Sequence, residues 1–422
     1  MRSKLFFNIF FILLLIFSFG TDSRELSIKQ LEERKKEDLE RKKLRELRGA
    51  KKFTKDISLS TKITFLTKER KTPPVLSNLD PILDDEGFYG VKLAIQDNLT
   101  TGRFVGHDYK SEFHRVLLDE NLIEEFKKLT DSGSKIFIVD LNEKELQSLF
   151  QIPNTKDVII INVRSKSDSL RNEGCKNNLF HIPPSYSMLS DALTQYLVKK
   201  KWNKWFLVTG PDENDKKYSE ALKKSAKKFN IKIKKEKTWD FSADLRRTAG
   251  KEVPIFTKGE KYDVLVVADE KGEFGEYLVY RTWDPRPIVG TQGLKPTSWH
   301  RTHEQWGATQ MQNRFRRESG RWMTEVDYHA WTAVRAIGEA VTRTNSNKIN
   351  EIKKYLLGEK FGLGAYKGVK VSFRSWNGQM RQPILLAAPR SMVSVSPQEG
   401  YIHPNSELDT MGKDEPESTC KF

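Results

Sequence analysis

The sequence predicts an α/β protein made of two doubly wound parallel-sheet lobes, and three observations predict it. Short apolar strands alternate with amphipathic helices in two successive series. A mostly helical stretch from Thr302 onward is too short for a third domain and suits a chain that crosses back to complete both lobes. The 422 residues, 37% hydrophobic and 31% charged, match two domains of ordinary size with very polar surfaces.

The chain opens with Arg2 and Lys4, an apolar run from Leu5 to Phe17, and Ser18-Phe19-Gly20. A basic start, a short apolar core and a small-x-small exit describe a secretory signal over residues 1–20. The run falls short of the ~20 residues that span a bilayer as a helix. Export to the periplasm follows as the expectation, with an uncleaved inner-membrane anchor as the alternative. Residues 21–60 form a charged, partly helical linker: Arg24 to Lys55 holds 13 basic and 7 acidic side chains, with a thin stripe of Leu and Ile. A weak contact of this basic linker with a membrane surface is allowed, although a solvated spacer is the plainer role.

The first lobe is expected over residues 61–185. Lys62–Leu66 reads as a strand, and the Pro-rich stretch 72–81 as loop. Asp84 and Asp85 open a helix to about Asn98, acidic at its amino end as the helix dipole favours. Then come helix 121–131, strand 135–139, helix 143–150, strand 158–162 and strand 179–182. The second lobe, over 186–300, begins with helix 187–200 and continues with strand 205–208, helix 215–229 and strand 231–239. Strand 264–268, a short helix near 274–279 and strand 288–290 complete it. Helices at 304–318, 325–343 and 350–357 and strands at 369–373 and 383–386 follow. Part of 300–345 is expected to complete the first lobe, and 346–422 the second.

A net charge of +16 raises nucleic acid as a partner. The lysines, however, follow helix patterns such as Lys216, Lys217, Lys223, Lys224, Lys227 and Lys228, and no basic patch is interleaved with stacking aromatics. Nucleic-acid binding is therefore not expected. The two cysteines, Cys175 and Cys420, read as one disulfide in an oxidising compartment or as two unpaired thiols.

Catalytic motifs are absent from the sequence. There is no G-x-S-x-G, no phosphate-binding glycine loop, and the His303-Glu304 pair meets Gly307 where a zinc-protease helix needs a second histidine. No enzyme activity, metal or cofactor is expected. His300 and His303 read as local hydrogen-bonding residues. The remaining architecture is a binding one, because ligands of parallel α/β sheets sit outside the carboxyl ends of the strands. The strand-end residues chosen as ligand-binding candidates are Asn162, Ser165, Ser185 and Tyr186 from the first series and Asp240, Asp269, Glu270 and Gln292 from the second. Trp283 is added as an aromatic pocket wall. Several of these residues, Ser185 among them, serve equally well as helix caps, and packing is the commoner role for Trp306, Trp322 and Trp331.

Several segments carry a resemblance that spans about residues 60–422: Asp97–Phe104, Arg281–Pro287, Gly290–Leu294, Trp299-His300-Arg301, Trp376–Gln379, Arg381-Gln382-Pro383 and Val395–Gly400. Together they resemble the ABC-transporter substrate-binding proteins associated with PQQ-dependent alcohol dehydrogenase systems, a branch of the branched-chain-amino-acid-type periplasmic binding proteins. The resemblance implies a type I periplasmic-binding-protein fold with three crossovers between the lobes. It also implies ABC permease and ATPase subunits as partners, and a link to periplasmic alcohol oxidation. The function expected is capture of a small polar solute by hinge closure for an ABC importer. The alternative is a non-transporting sensor or accessory protein of the dehydrogenase system. The amino-acid binders of the family use small residues where this chain has Asn162-Val163-Arg164-Ser165. That bulkier, basic turn argues for an acidic or oxygenated ligand.

Overall fold

The computed structural model describes residues 36, 40, 55–71, 82–239, 245–420 and 422. The signal at 1–20, most of the 21–60 linker and Asp240 therefore lie outside the described residues. Residues 1–56 and 57–422 are two separate units. In the first, Lys36 and Glu40 are helical and exposed. The α/β fold belongs to the second.

Its first sheet is entirely parallel and joins β1 (Leu59–Lys68), β2 (His107–Val116), β3 (Ile136–Asp140), β4 (Ile159–Asn162) and β5 (Leu179–His181) in the order β2-β1-β3-β4-β5. Helices α1 (Phe88–Val105), α2 (Leu122–Asp131) and α3 (Glu143–Leu149) connect it. After α4 (Tyr186–Lys199) a second parallel sheet joins β6 (Lys204–Thr209), β7 (Lys232–Thr238), β8 (Val264–Ala268) and β9 (Ile288–Gly290) in the order β7-β6-β8-β9. Its helices are α5 (Glu213–Lys228), α6 (Leu245–Thr257) and the one-turn α7 (Gly275–Leu278). Every residue of β3, β4 and β8 is buried, as expected of strands covered on both faces, which is why they read as continuous apolar runs. In both sheets the strand order reverses beside the first strand, so β1/β3 and β6/β8 are the two switch points.

The chain then recrosses. A three-stranded antiparallel sheet of β10 (Lys295–Thr297), β14 (Ile384–Ala388) and β15 (Ser391–Ser396) adds Ile384 and Leu386 to the second lobe's core. Helices α8 (Ala308–Ser319), α9 (Glu325–Thr344) and α10 (Ile349–Leu356) pack with the first sheet. So do β11 (Leu363–Gly364), β12 (Lys370–Phe373) and β13 (Met380–Arg381). Helices α1 and α9 pack so closely that a Cβ at Gly90 would meet the Asp327 carbonyl oxygen at 2.1 Å, and one at Gly338 the Asn98 side chain at 2.2 Å. Cys175 and Cys420 are disulfide-bonded, closing a sequence separation of 245 residues.

The structure departs from the sequence reading in four places. Residues 349–380, assigned to the second lobe, pack in the first: Ile352, Phe361, Val371 and Phe373 share a core with Phe180 and Trp331. Helix α1 starts at Phe88 and runs on to Val105, and Asp85 instead accepts from Arg321 Nε (3.0 Å). Edge strand β2 was not expected, because an edge strand exposed to water carries the polar sequence HDYKSEFHRV. Helix α6 was missed because Gly250 and Pro254 lie inside it.

Three segments connect the lobes, near residues 182–185, 298–307 and 382–383. They are tied to one another. Gln382 Nε2 donates to the Ile182 carbonyl (2.6 Å), Gln379 Nε2 to the Pro183 carbonyl (3.0 Å), and the buried Lys367 ammonium to the carbonyls of Ser298 and Pro383.

Candidate functional site

The switch points place two groups of side chains at the carboxyl ends of the strands. In the first lobe the centre is Asp140, the last residue of β3, whose carboxylate is 2% exposed. Thr67 at the end of β1 donates to it (3.1 Å), Arg70 forms a two-pronged pair (2.8 and 3.2 Å), and Arg164 beyond β4 pairs with it from the other side. Arg164 also reaches Glu86 (2.6 Å). Burial by itself would raise the Asp140 carboxyl, but the charges of Arg164 and Arg70 together outweigh it and hold its pKa below the ordinary value. Both oxygens of Asp140 are occupied, so this group is closed on itself.

The second group bridges the lobes. Lys166, beyond the end of β4, extends its ammonium to Glu270 Oε2 beyond β8 (3.4 Å) and toward Glu325 Oε2 at the start of α9 (3.9 Å). Tyr186, opening α4, donates its hydroxyl to Glu270 (3.4 Å), and its backbone N–H donates to the Lys166 carbonyl (2.9 Å). The Tyr186 ring lies 5.6 Å from that of Tyr218 on α5. Tyr218 is 1% exposed and its hydroxyl has no hydrogen-bond partner. The Glu325 carboxylate accepts from Ser298 N–H (2.8 Å) and Ser298 Oγ (3.0 Å), and Ser298 Oγ also contacts His329 Nε2 (2.6 Å). Burial would raise the Glu325 carboxyl, but Lys166 and Lys295 hold it well below the usual range. Burial would likewise lower Lys166, and Glu270 and Glu325 raise it instead. Beneath Glu270, Asp215 accepts from the Glu270 N–H (2.7 Å), and burial pushes its carboxyl up to about 6.

Of the sequence candidates, Tyr186 and Glu270 join this bridging group. Asn162 is fully buried and closes its own turn, accepting from the N–H groups of Arg164 (3.1 Å) and Ser165 (2.8 Å). The Ser165 carbonyl accepts from Asn162 Nδ2 and Arg171. Ser185 caps α4 through Met188 N–H (3.3 Å). Asp269 accepts from three backbone N–H groups, those of Glu273, Phe274 and Gly275, and Gln292 donates to the Asp269 carbonyl (3.2 Å). Asn162, Ser185, Asp269 and Gln292 therefore spend their side chains on the strand-end turns, and Ser165 takes part through its backbone.

Trp283 is placed elsewhere. Its N–H donates to Thr257 Oγ1 at the end of α6 (2.8 Å), and Lys258 lies 4.3 Å from its ring centre. A connection running from a helix into a parallel strand reaches that strand's amino end, and the crevice lies at the carboxyl ends. Trp283 is thus at the opposite pole of the second lobe, half exposed, and walls no pocket in the crevice. Of the other tryptophans, Trp331 is buried as expected, whereas Trp306 and Trp322 are about half exposed. His300 bonds locally, to Thr302 Oγ1 (2.7 Å), whereas His303 meets the Tyr366 carbonyl, 63 positions along the chain (2.7 Å).

Lys166, Tyr218 and Glu325 were missed by sequence reasoning. Lys166 stands one residue beyond the turn that was singled out. Glu325 follows Thr324, whose side chain and Asp327 form a capping box visible in the sequence as T-x-x-D. Tyr218 lies mid-helix among lysines, and nothing in its local sequence distinguishes it from a core residue.

The two switch-point sheets and the tied crossovers are those of the type I periplasmic-binding-protein fold. No protein-family model and no curated protein matches the chain. Solved structures do. A periplasmic binding protein from Burkholderia mallei is similar over 86% of this chain and 98% of its own, with a TM-score of 0.63 at 17% identity. A branched-chain amino acid ABC transporter periplasmic ligand-binding protein from Burkholderia xenovorans is similar over 79% and 95%, with a TM-score of 0.64 at 13% identity. An ABC-transporter solute-binding protein from R. palustris, solved with benzoate, is similar over 86% and 100%, with a TM-score of 0.62 at 13% identity. At these identities the likeness is one of fold. Among the described residues no helix is long and apolar enough to cross a membrane, and no group of three or more His, Cys, Asp or Glu is placed to hold a metal ion.

Proposed function

We propose that the protein is a periplasmic solute-binding protein of an ABC importer that captures a small polar solute between its lobes and serves a PQQ-dependent alcohol-oxidation system. The lobes are those of the two parallel sheets, and residues 1–20 act as the export signal. One observation carries the reading: at the facing switch points a buried Tyr218 hydroxyl without a partner sits beside Tyr186, Glu270 and Lys166, which come from both lobes. Polar groups that converge from two lobes, one of them still owed a hydrogen bond, suit a solute held by hydrogen bonds. Closure would then be driven by contacts that exist only when the lobes meet. The permease and ATPase partnership and the alcohol-oxidation link rest on the sequence resemblance. No turnover is expected.

The test is a thermal-shift and calorimetric screen of the purified protein with alcohols, aldehydes, carboxylates, amino acids and PQQ. A saturable rise in melting temperature without product formation is the expected result. Tyr218→Phe should weaken binding of the best hit by about tenfold, the worth of one hydrogen bond to a buried group. Unchanged affinity in that variant would remove the site assignment. A different observation favours a sensor or accessory protein: Lys166–Glu270, Lys217–Glu143 and Lys144–Glu213 (2.9 Å) already join the lobes through the chain's own side chains. A gene neighbourhood without permease and ATPase would decide for that role.

A further inference from the structure

The bridging cluster contains a cation that no external molecule supplies. Lys166 carries its ammonium across from the first lobe and places it between Glu270 of the second lobe and Glu325, with the Tyr186 hydroxyl on the same Glu270 oxygen. Two carboxylates and an aromatic hydroxyl around one ammonium are the groups with which a protein holds a charged amine. Here the amine is internal. Its side chain is 19% exposed, as is that of Glu325, and that of Glu270 is 17% exposed, so all three are largely withdrawn from water. Beside them the ring of Tyr218, whose hydroxyl is buried and unpartnered, lies 5.6 Å from the Tyr186 ring.

We infer that Lys166 is a resident cation that fills the ammonium position of the inter-lobe site, so that the site rejects amines and amino acids and takes an uncharged oxygenated solute through Tyr218. This inference rests on the proposed solute-binding role and names the class of solute. The charge balance supports it. Glu270 and Glu325 already carry their counter-ion, so an arriving ammonium would have to displace a tethered one. A carboxylate ligand would enter beside Glu270 and Glu325, two carboxylates whose charge Lys166 and Lys295 already offset. An alcohol or carbonyl oxygen faces neither conflict and satisfies the hydroxyl that the fold leaves open.

The experiment frees the position and asks what enters it. Lys166→Ala removes the head and the stem, and propylammonium is the probe matched to that space. Lys166→Met keeps the stem and removes the charge, and the ammonium ion is the probe matched to it. Each folded variant should bind its matched cation saturably, on the order of tenfold or more tighter than the wild-type protein does. Adding Glu270→Gln to either variant should abolish the gain. Wild-type protein that binds propylammonium or a free amino acid between its lobes would overturn the inference. So would two folded variants that ignore both cations. If the alanine variant does not fold, the methionine variant with ammonium and the wild-type titrations decide. A wild-type protein that binds no small solute at all would count against the importer role, while the resident-cation claim would still stand or fall on the variants.

Discussion

The first lobe's Asp140 cluster and the inter-lobe Lys166 cluster are both charged groups at strand ends, yet they are built to different standards. Around Asp140 the Arg70 pair is two-pronged, and Thr67 in the neighbouring strand β1 and Arg70 just beyond it satisfy the carboxylate. Around Lys166 the contacts stretch to 3.4 and 3.9 Å, they span two lobes, and one buried hydroxyl goes unpaired. A saturated network fixes a backbone. An unsaturated one, held between bodies joined by three segments, is where a ligand can exchange for an internal contact.

That contrast can be broken at the Asp140 end first. Asp140→Ala should cost about 3–5 kcal/mol of unfolding free energy, because it leaves Arg164 and Arg70 without their shared partner. Urea denaturation measures it, and a loss below about 1 kcal/mol would mean that this cluster is no tighter than a surface pair. The pH dependence has a defined sign. The Asp140 pKa is lower folded than unfolded, so its contribution is complete at neutral pH and is lost as pH falls below the ordinary carboxylate range.

Next in size is Lys367, which holds two of the crossovers and whose pKa burial pulls down to about 7. The unfolded chain binds this proton more tightly, so wild-type stability should rise with pH from about 7 toward ~10. Lys367→Met should lose that rise, and unfolding midpoints at neutral and alkaline pH compare the two proteins. A slope that survives in the variant would place the titrating group elsewhere.

Tyr218→Phe should leave stability within about 0.5 kcal/mol of wild type or raise it slightly, since the hydroxyl it removes is buried without a partner. A large loss of stability would show that this hydroxyl is structural, and the two clusters would then be alike. Smallest of all is Glu213→Gln. Lys217 and Lys144 hold the Glu213 pKa low, at about 2, but the group is exposed at the surface. Solvent and salt screen such pairs, so no measurable change in melting temperature is expected.

Much of the fold was legible. The continuous apolar runs 136–139, 159–161 and 264–268 could only be strands covered on both faces, and their alternation with helices dictated parallel sheets. Strand β2 and helix α6 were not legible, because a water-facing edge strand has no apolar signature and Pro254 reads as a break. Within the candidate site, Tyr186 and Glu270 could be found from strand ends. Asn162, Ser185, Asp269 and Gln292 have the same polar character but use it on their own turns, and only the hydrogen bonds tell the two groups apart.

The sequence by itself determined the layers and the two series of strands, because periodicity and burial are properties of neighbouring residues. Only the tertiary structure decided which polar groups are spent and which remain open. It set Lys166 against Glu270, 104 positions away, and against Glu325, and it left the hydroxyl of Tyr218 unpaired beside Tyr186. It also sent Trp283 to the far pole and returned residues 349–380 to the first lobe. Those outcomes depend on contacts between lobes, and a hydrogen-bond partner brought from another lobe leaves no trace in the local pattern of either strand.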